Sequence, residues 1–352
     1  MTLNWPMVVR AGHRLIARKS QLIFDLADRI EEISPAETSF ASPAFYPDGA
    51  LDKVTGLSPW RTWPFEMGLI DGGSNDNVAT RAFTVNDATI SGPFVYKGAA
   101  KYFPGYGPAK LWDRSITKTI DIPEATLVSC FGGSRFFGPF LKDSLPQELL
   151  PGDETKKIVI QTKSYGHEAG YRDLFDLPAP PLVQRARIGR LTFYEDFGQN
   201  KNKRARYRVL YDRLRANLDK QDHRPPVGVY LKRGATGEAR VLTNEDALET
   251  YLAGLGFDIV EPALLEAKEI ARRTLDAPIV ISVEGSHISH VCYSMSETGS
   301  LLVLQPPDRF ALAFKEFTDR VGIRFGFVVG TQAEGGFAVD IDELQRLMDR
   351  LT

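Results

Sequence analysis

The residue types best suited to chemistry crowd into one short stretch, Glu284-Gly285-Ser286-His287-Ile288-Ser289-His290. It offers a carboxylate, two hydroxyls and two imidazoles, groups that can move protons or hold polar ligands. Gly285 and Ser286 also present backbone N–H groups that can cap an anion. The stretch follows Pro278-Ile279-Val280-Ile281-Ser282-Val283, a nearly continuous apolar run. Such a run reads as a strand covered on both faces, as in a parallel sheet. The polar residues would then stand at the carboxyl end of a strand, where a helix begins and open α/β sheets bind ligands. Gly and Ser serve turn geometry and capping there as well, so the spacing alone leaves a ligand site and a plain turn both open.

The elements around this stretch repeat regularly. Asp222-His223-Arg224-Pro225-Pro226 reads as a linker, and a strand is expected over Val227–Leu231, ending before Lys232 and Arg233. Thr243 and Asp246 form a capping pair for a helix over Glu245–Ala253, closed by Gly254 and Gly256. A strand over Phe257–Val260 follows, then a helix with Leu264, Ala267, Ile270, Ala271 and Leu275 on one face. After the central strand come a strand at Leu301, a helix over Phe310–Val321 and a strand over Phe325–Val329. Asp340 and Glu343 cap a last helix to Leu351. Strands alternating with helices point to a Rossmann-like domain of parallel topology.

The first 221 residues are less regular. Val8 to Ile33 reads as one amphipathic helix with Arg10, His13, Arg14, Arg18 and Lys19 in its first half. It can pack on a core or lie on an anionic membrane surface. Ser34 to Pro123 is rich in Pro, Gly and aromatics, including Trp60, Trp63 and Trp112, and suggests short strands and long loops. An apolar run, Leu127–Phe131, then Gly132-Gly133-Ser134, a helix through Leu149 and a strand over Lys157–Gln161 come next. Asn200–Asn217 reads as a basic helix with a solvated face.

Composition excludes several classes. Among 352 residues the formal net charge is −2, so no global basic field argues for nucleic acid. Two cysteines, Cys130 and Cys292, are too few for a disulfide scaffold or a cysteine-rich metal site, and fit a reducing compartment. No run approaches the roughly 18 apolar residues of a membrane span, and no signal-peptide pattern opens the chain. A cytoplasmic protein is expected, with peripheral contact at the inner membrane face left open. No G-x-G-x-x-G sits in a strand-to-helix turn, which counts against a dinucleotide-dependent oxidoreductase.

An ordered set of motifs over Val227–Pro307 resembles the family 61 glycosyltransferases, a group that includes capsular-polysaccharide enzymes. It comprises Tyr230-Leu231-Lys232-Arg233, Arg240-Val241-Leu242-Thr243-Asn244-Glu245, Gly256-Phe257-Asp258-Ile259-Val260-Glu261, Ala267-Lys268-Glu269-Ile270 and Glu284 to His290. Upstream, Arg135 to Pro146 is similar to the family's N-Y-x-H-W-x-x-D-x-L-P element and keeps Asp143 at its acidic position. The family's His and Trp there fall on Gly138 and Pro139, and the His and Asn of its turn fall on Glu284 and His290.

The resemblance implies an α/β, GT-B-like fold: two Rossmann-like domains facing across a cleft, here residues 1–221 on the acceptor side and 222–352 for the nucleotide sugar. It implies an inverting, metal-independent transfer from a nucleotide sugar, such as a uridine diphosphate sugar, to a glycan or glycolipid in surface-polysaccharide assembly. No other cofactor and no nucleic acid is expected. Arg233 would bind the diphosphate, with Lys232 and Arg240 as second choices and Gly285, Ser286, Ser289 and His290 around it. Glu261 would hold a ribose or sugar hydroxyl. Asp143 would be the general base, with Glu284 and His287 as candidates from the donor side. No metal site is expected, since His287 and His290 lack a third ligand and Asp340-Ile341-Asp342 reads as a helix cap. The substitutions at Gly138 and Glu284 also admit a catalytically silent homologue that binds a nucleotide or glycan for a partner enzyme.

Overall fold

The structure, a computed structural model, describes residues 2–3, 5–17, 22–108, 112–113, 118–152, 154–160, 162–218, 223–234 and 239–351, with the backbone alone at 2–3, 14–17 and 112–113. The chain packs as two units. One comprises Met1–Glu37, Val78–Gly166 and Leu177–Arg206, the other Thr38–Asn77, His167–Asp176 and Tyr207–Thr352. The expected cut at 221/222 falls outside the described residues. Packing draws two segments from the first half of the chain, 38–77 and 167–176, into the unit that holds the C-terminal sheet.

The first unit is built on a seven-stranded sheet. Its strands are β1 (Arg29–Ser34), β2 (Thr80–Ser91), β3 (Phe94–Lys97), β4 (Ala100–Tyr102), β5 (Ile120–Leu127), β6 (Lys157–Ile158) and β7 (Arg185–Glu195). They lie in the order β6-β5-β7-β2-β3-β4, with β1 also on β2. Only β5–β6 and β5–β7 run parallel. This mixed sheet corrects the expectation of a Rossmann-like domain in the first half: β2, β3 and β4 follow one another as antiparallel neighbours, and β1 and β7 flank β2 antiparallel. Val85, Ile90, Ile122, Leu127, Ile188, Leu191 and Phe193 form its buried core.

The long helix expected over residues 8–33 is also corrected. A helix covers Trp5–Ala17, and after a short 3-10 turn at Ile23–Leu26 the chain enters β1 at Arg29. Ile30 and its neighbours pair with Phe83 and Ala82 of β2, so sheet pairing overrides the local helical pattern. Arg18 and Lys19 lie outside the described residues.

The second unit holds the parallel sheet expected from the sequence. Its strands are β8 (Val229–Leu231), β9 (Asp258–Val260), β10 (Ile279–Val283), β11 (Ser300–Gln305) and β12 (Arg324–Val329), in the order β9-β8-β10-β11-β12. All four pairings are parallel. Every residue of β10 and β11 is buried, which is why both strands read as unbroken apolar runs. Strand order reverses between β8 and β10, and a crevice at their carboxyl ends is where such sheets bind ligands. The helix Ile341–Asp349 is capped as expected: the Asp340 carboxylate accepts from the N–H groups of Asp342 and Glu343. The capping pair expected at Thr243 and Asp246 does not form. Thr243 donates instead to the Phe337 carbonyl, and Asn244 takes the N-cap position while bonding Val339.

Candidate active site

Leu231, the last residue of β8, lies opposite Ser282 of β10. Two residues beyond β8 stands Arg233, and directly after β10 stands Glu284. Arg233 Nη1 donates to the Glu284 carbonyl oxygen at 2.9 Å, tying the two strand ends together. Gly285 makes this approach feasible. A Cβ there would overlap Arg233 Nη1 and fall 2.9 Å from His287 Nδ1. Its φ of 158° with ψ of 165° also lies in a region populated almost only by glycine.

The Glu284 side chain is buried, and its Oε2 lies 2.8 Å from Arg240 Nε. Burial pushes this carboxyl upward, while the positive charges of Arg240, Arg233, Arg309 and Arg61 oppose the shift. Four guanidiniums therefore act on one buried carboxylate. Neither Arg240 Nε nor Glu284 Oε2 completes a hydrogen bond, although they stand within ion-pair distance. Arg61 brings a carboxylate of its own. Its Nε lies 3.1 Å from Oε1 of the fully buried Glu66, whose Oε2 accepts from the Leu312 N–H at 2.9 Å.

His287 completes this floor. The Ser282 hydroxyl donates to the Leu231 carbonyl at 2.7 Å, and its oxygen lies 2.7 Å from His287 Nε2. With the hydroxyl proton committed, His287 is assigned as the Nε2–H tautomer, donating to Ser282 and leaving Nδ1 as an acceptor. Burial, then the charges of Arg233 and Arg240, push its pKa down to about 3. At neutral pH His287 is an uncharged hydrogen-bonding group.

The helix expected after Gly285 is a 3-10 turn of six residues, Ser286–Val291. Ser, His, Ile and Val are mediocre helix formers, and so short a turn carries little dipole. The positive potential here comes from guanidiniums. Ser286 is half-buried, whereas Ser289 is fully buried. His290 is a core residue: its Nδ1 lies 2.7 Å from the Tyr171 hydroxyl and its ring stands edge-on to His167 at 4.7 Å. Burial pushes its pKa well down. Lys232 pairs with Glu249 at 2.6 Å and with Glu261 at 4.0 Å, so this lysine and Glu261 engage one another and a helix rather than Glu284.

Asp143 belongs to the first unit. It lies in a π-helical turn, Phe140–Ser144, inside the helical stretch from Phe137 to Gln147. Pro146 accounts for the widened turn, because it lacks an N–H and its ring crowds the carbonyl four residues back, that of Lys142. Lys203 Nζ donates to Asp143 Oδ1 at 2.7 Å and to the Asp196 carbonyl at 3.1 Å. Lys203 is 1% exposed, and Arg206 forms a two-pronged pair with buried Asp196. The expected solvated face of the basic helix, observed at Lys201–Asn217, is thus corrected at these two positions, where buried carboxylate and carbonyl partners draw the cations inward.

Arg61, Glu66 and Arg309 escaped the sequence reading. The available signal is an arginine set among aromatics and followed by an acid in Trp60-Arg61-Thr62-Trp63-Pro64-Phe65-Glu66. Among the described residues, no group of three or more His, Cys, Asp or Glu is placed to hold a metal ion, and no helix is long and apolar enough to cross a membrane. Residues 137–301 match the family described as Glycosyltransferase 61. That span carries Asp143, Arg233, Arg240 and the Glu284–His290 turn, and excludes Arg61, Glu66 and Arg309. No curated protein matches the chain.

Proposed function

We propose that this chain, whose residues 137–301 match the family described as Glycosyltransferase 61, moves a sugar, with inversion, from a nucleotide sugar to a glycan or glycolipid during surface-polysaccharide assembly. A uridine diphosphate sugar is the proposed donor. The observation that carries this reading is the arginine cluster around Glu284, at the strand-order reversal between β8 and β10. An open parallel sheet binds its ligand there, and guanidiniums match diphosphate oxygens in geometry and charge.

In this reading Arg233 and Arg240 hold the diphosphate, while the N–H groups of Gly285 and Ser286 can approach its oxygens. As the glycosidic bond breaks, negative charge grows on the leaving diphosphate, and cations fixed in a buried setting stabilise it without reorganising. The proposal includes metal independence, because the guanidiniums supply the charge a divalent ion would otherwise bring. Neutral His287 orients: its Nδ1 can accept from a donor hydroxyl. Glu284 keeps Arg240 and Arg233 in place. Asp143, oriented by Lys203, is the proposed base for the acceptor hydroxyl. Donor and acceptor sides facing across a cleft, without a second Rossmann-like domain, and a cytoplasmic location at the inner membrane face belong to the same proposal. Trp5 and Val9, exposed on the Trp5–Ala17 helix, support contact with a membrane surface.

Thermal unfolding against a panel of nucleotide sugars, with and without chelator, tests the donor side. A donor at about 100 times its dissociation constant should stabilise the protein by roughly 2.7 kcal/mol. Arg233→Ala should cut donor affinity about ten- to a hundredfold while the fold persists. Absence of stabilisation by any nucleotide sugar would overturn the reading, and binding abolished by chelator would overturn its metal-free part.

A further inference from the structure

The segment from Thr55 to Glu66 is fixed to the loop that follows β11. The N–H groups of Thr55 and Gly56 donate to the Pro307 carbonyl at 2.7 and 3.1 Å. Ser58 N–H donates to the Phe310 carbonyl, Phe310 N–H donates back to Gly56, and the Trp63 ring stacks on Phe310. This anchoring sets Arg61 beside the loop carrying Arg309. The guanidinium lies 4.3 Å from the Trp60 ring centre and 4.8 Å from that of Phe65. Aromatic faces on such a cation hold its plane but leave its N–H edge unsatisfied.

Arg61 is 5% exposed at its side chain, yet its Nε completes no hydrogen bond even to Glu66. Burying charged donors without hydrogen bonds is costly, so a group in this state is poised for an acceptor. The loop that anchors the Arg61 segment leaves β11 at Gln305, and the Glu284 N–H donates to the adjoining Leu304 carbonyl at 3.0 Å, so this segment stands at the same strand ends as Glu284. The four guanidiniums of Arg61, Arg233, Arg240 and Arg309 exceed the three carboxylates of Glu66, Glu284 and Glu316 by one charge (4 − 3). That excess favours an anion such as a nucleoside diphosphate esterified to a sugar.

We propose that Arg61 is a phosphate-contacting residue of the donor site, contributed by a segment outside the family-matched span, and that Glu66, Trp60 and Phe65 are positioning residues that hold it. The proposal rests on the donor reading above and adds a specific determinant to it. Recognition of the phosphate and recognition of the nucleoside then depend on different parts of the unit.

Calorimetric titration of the full chain with uridine diphosphate and with uridine tests this. Arg61→Gln should weaken the diphosphate about ten- to a hundredfold and leave uridine binding unchanged. Arg61→Lys keeps charge and bulk but loses the planar fork; it should show the same selective loss in smaller measure, and it serves if the glutamine variant does not fold. Glu66→Gln should weaken the diphosphate too, but add little in the Arg61→Gln background, because it acts through that arginine. Normal diphosphate binding by the Arg61 variants, alongside impaired binding by Arg233→Ala, would overturn this inference and leave the donor reading standing. Equal losses for uridine and its diphosphate would make Arg61 a structural residue. A parent that binds neither would remove the donor reading, and this inference with it.

Discussion

His287 offers a stringent test of the site's electrostatics, because its environment makes a signed prediction that needs no substrate. The ring donates to Ser282, and burial with the nearby charges of Arg233 and Arg240 holds its pKa at about 3. In the unfolded chain the same ring titrates near 6.5. The folded-state pKa is depressed, so below about pH 6.5 the unfolded chain takes up a proton that the native protein refuses. Stability falls as pH drops from about 6.5 toward 3. Between pH 7 and pH 5 this one group accounts for a loss of about 2 kcal/mol, from 1.36 kcal/mol per pH unit over roughly 1.5 units. His287→Asn abolishes titration at the position. The variant should be less stable at pH 7, by about 1 kcal/mol for the hydrogen bond to Ser282. Its further loss on going to pH 5 should be smaller than the parent's by about 2 kcal/mol. Urea unfolding at both pH values, followed by tryptophan emission, measures this. Trp60 and Trp63 report on the unit that contains His287. His290, pushed down in the same way, remains in both proteins and cancels in the difference. Parallel losses in parent and variant would show that His287 titrates normally, and the account of a neutral ring beneath the arginine cluster would fail.

Two further perturbations probe separate links. Gly285→Ala places a methyl group where Arg233 Nη1 lies, so donor affinity should fall about as far as in Arg233→Ala, with folding retained by circular dichroism; unchanged affinity would mean that Arg233 does not depend on that approach. Asp143→Asn should lower turnover by about 10²–10⁴ with donor affinity nearly unchanged, and retained turnover would move the base to another group.

The parallel sheet was legible because its central strands are buried on both faces, so Ile279–Val283 and Leu301–Leu304 appear in the sequence as unbroken apolar runs. Residues just beyond such strands inherit the crevice position from topology alone, which is why Arg233 and Glu284 could be named beforehand. The helix cap at Asp340 was equally local, since a carboxylate and the N–H groups two and three residues on suffice to make it. The first unit was harder to read. Its strands β1 and β2 join residues about 50 apart, and the helical spacing of Ile23, Ala27 and Ile30 carries no sign of that partner. Lys203 shows the same limit: a lysine within a basic helix looks solvated until the chain returns Asp143, 60 residues earlier, to its ammonium.

The composition of the proposed donor site follows from these pairings. A helix start after Gly285 would have offered backbone N–H groups and a dipole, but the chain supplies only a six-residue 3-10 turn. The compensating charge comes from arginines spread along the chain, at positions 61, 233, 240 and 309, and such a set repels itself unless anions are fixed among its members. Glu66 and Glu284 are those fixed anions. This gives a physical reason for an acid at the position where the resembling family has histidine: at neutral pH an uncharged imidazole would hold Arg240 less firmly than a carboxylate 2.8 Å away. On the proposed reading, the acid at Glu284 strengthens a phosphate site built from guanidiniums, and this favours donor binding over a vestigial fold.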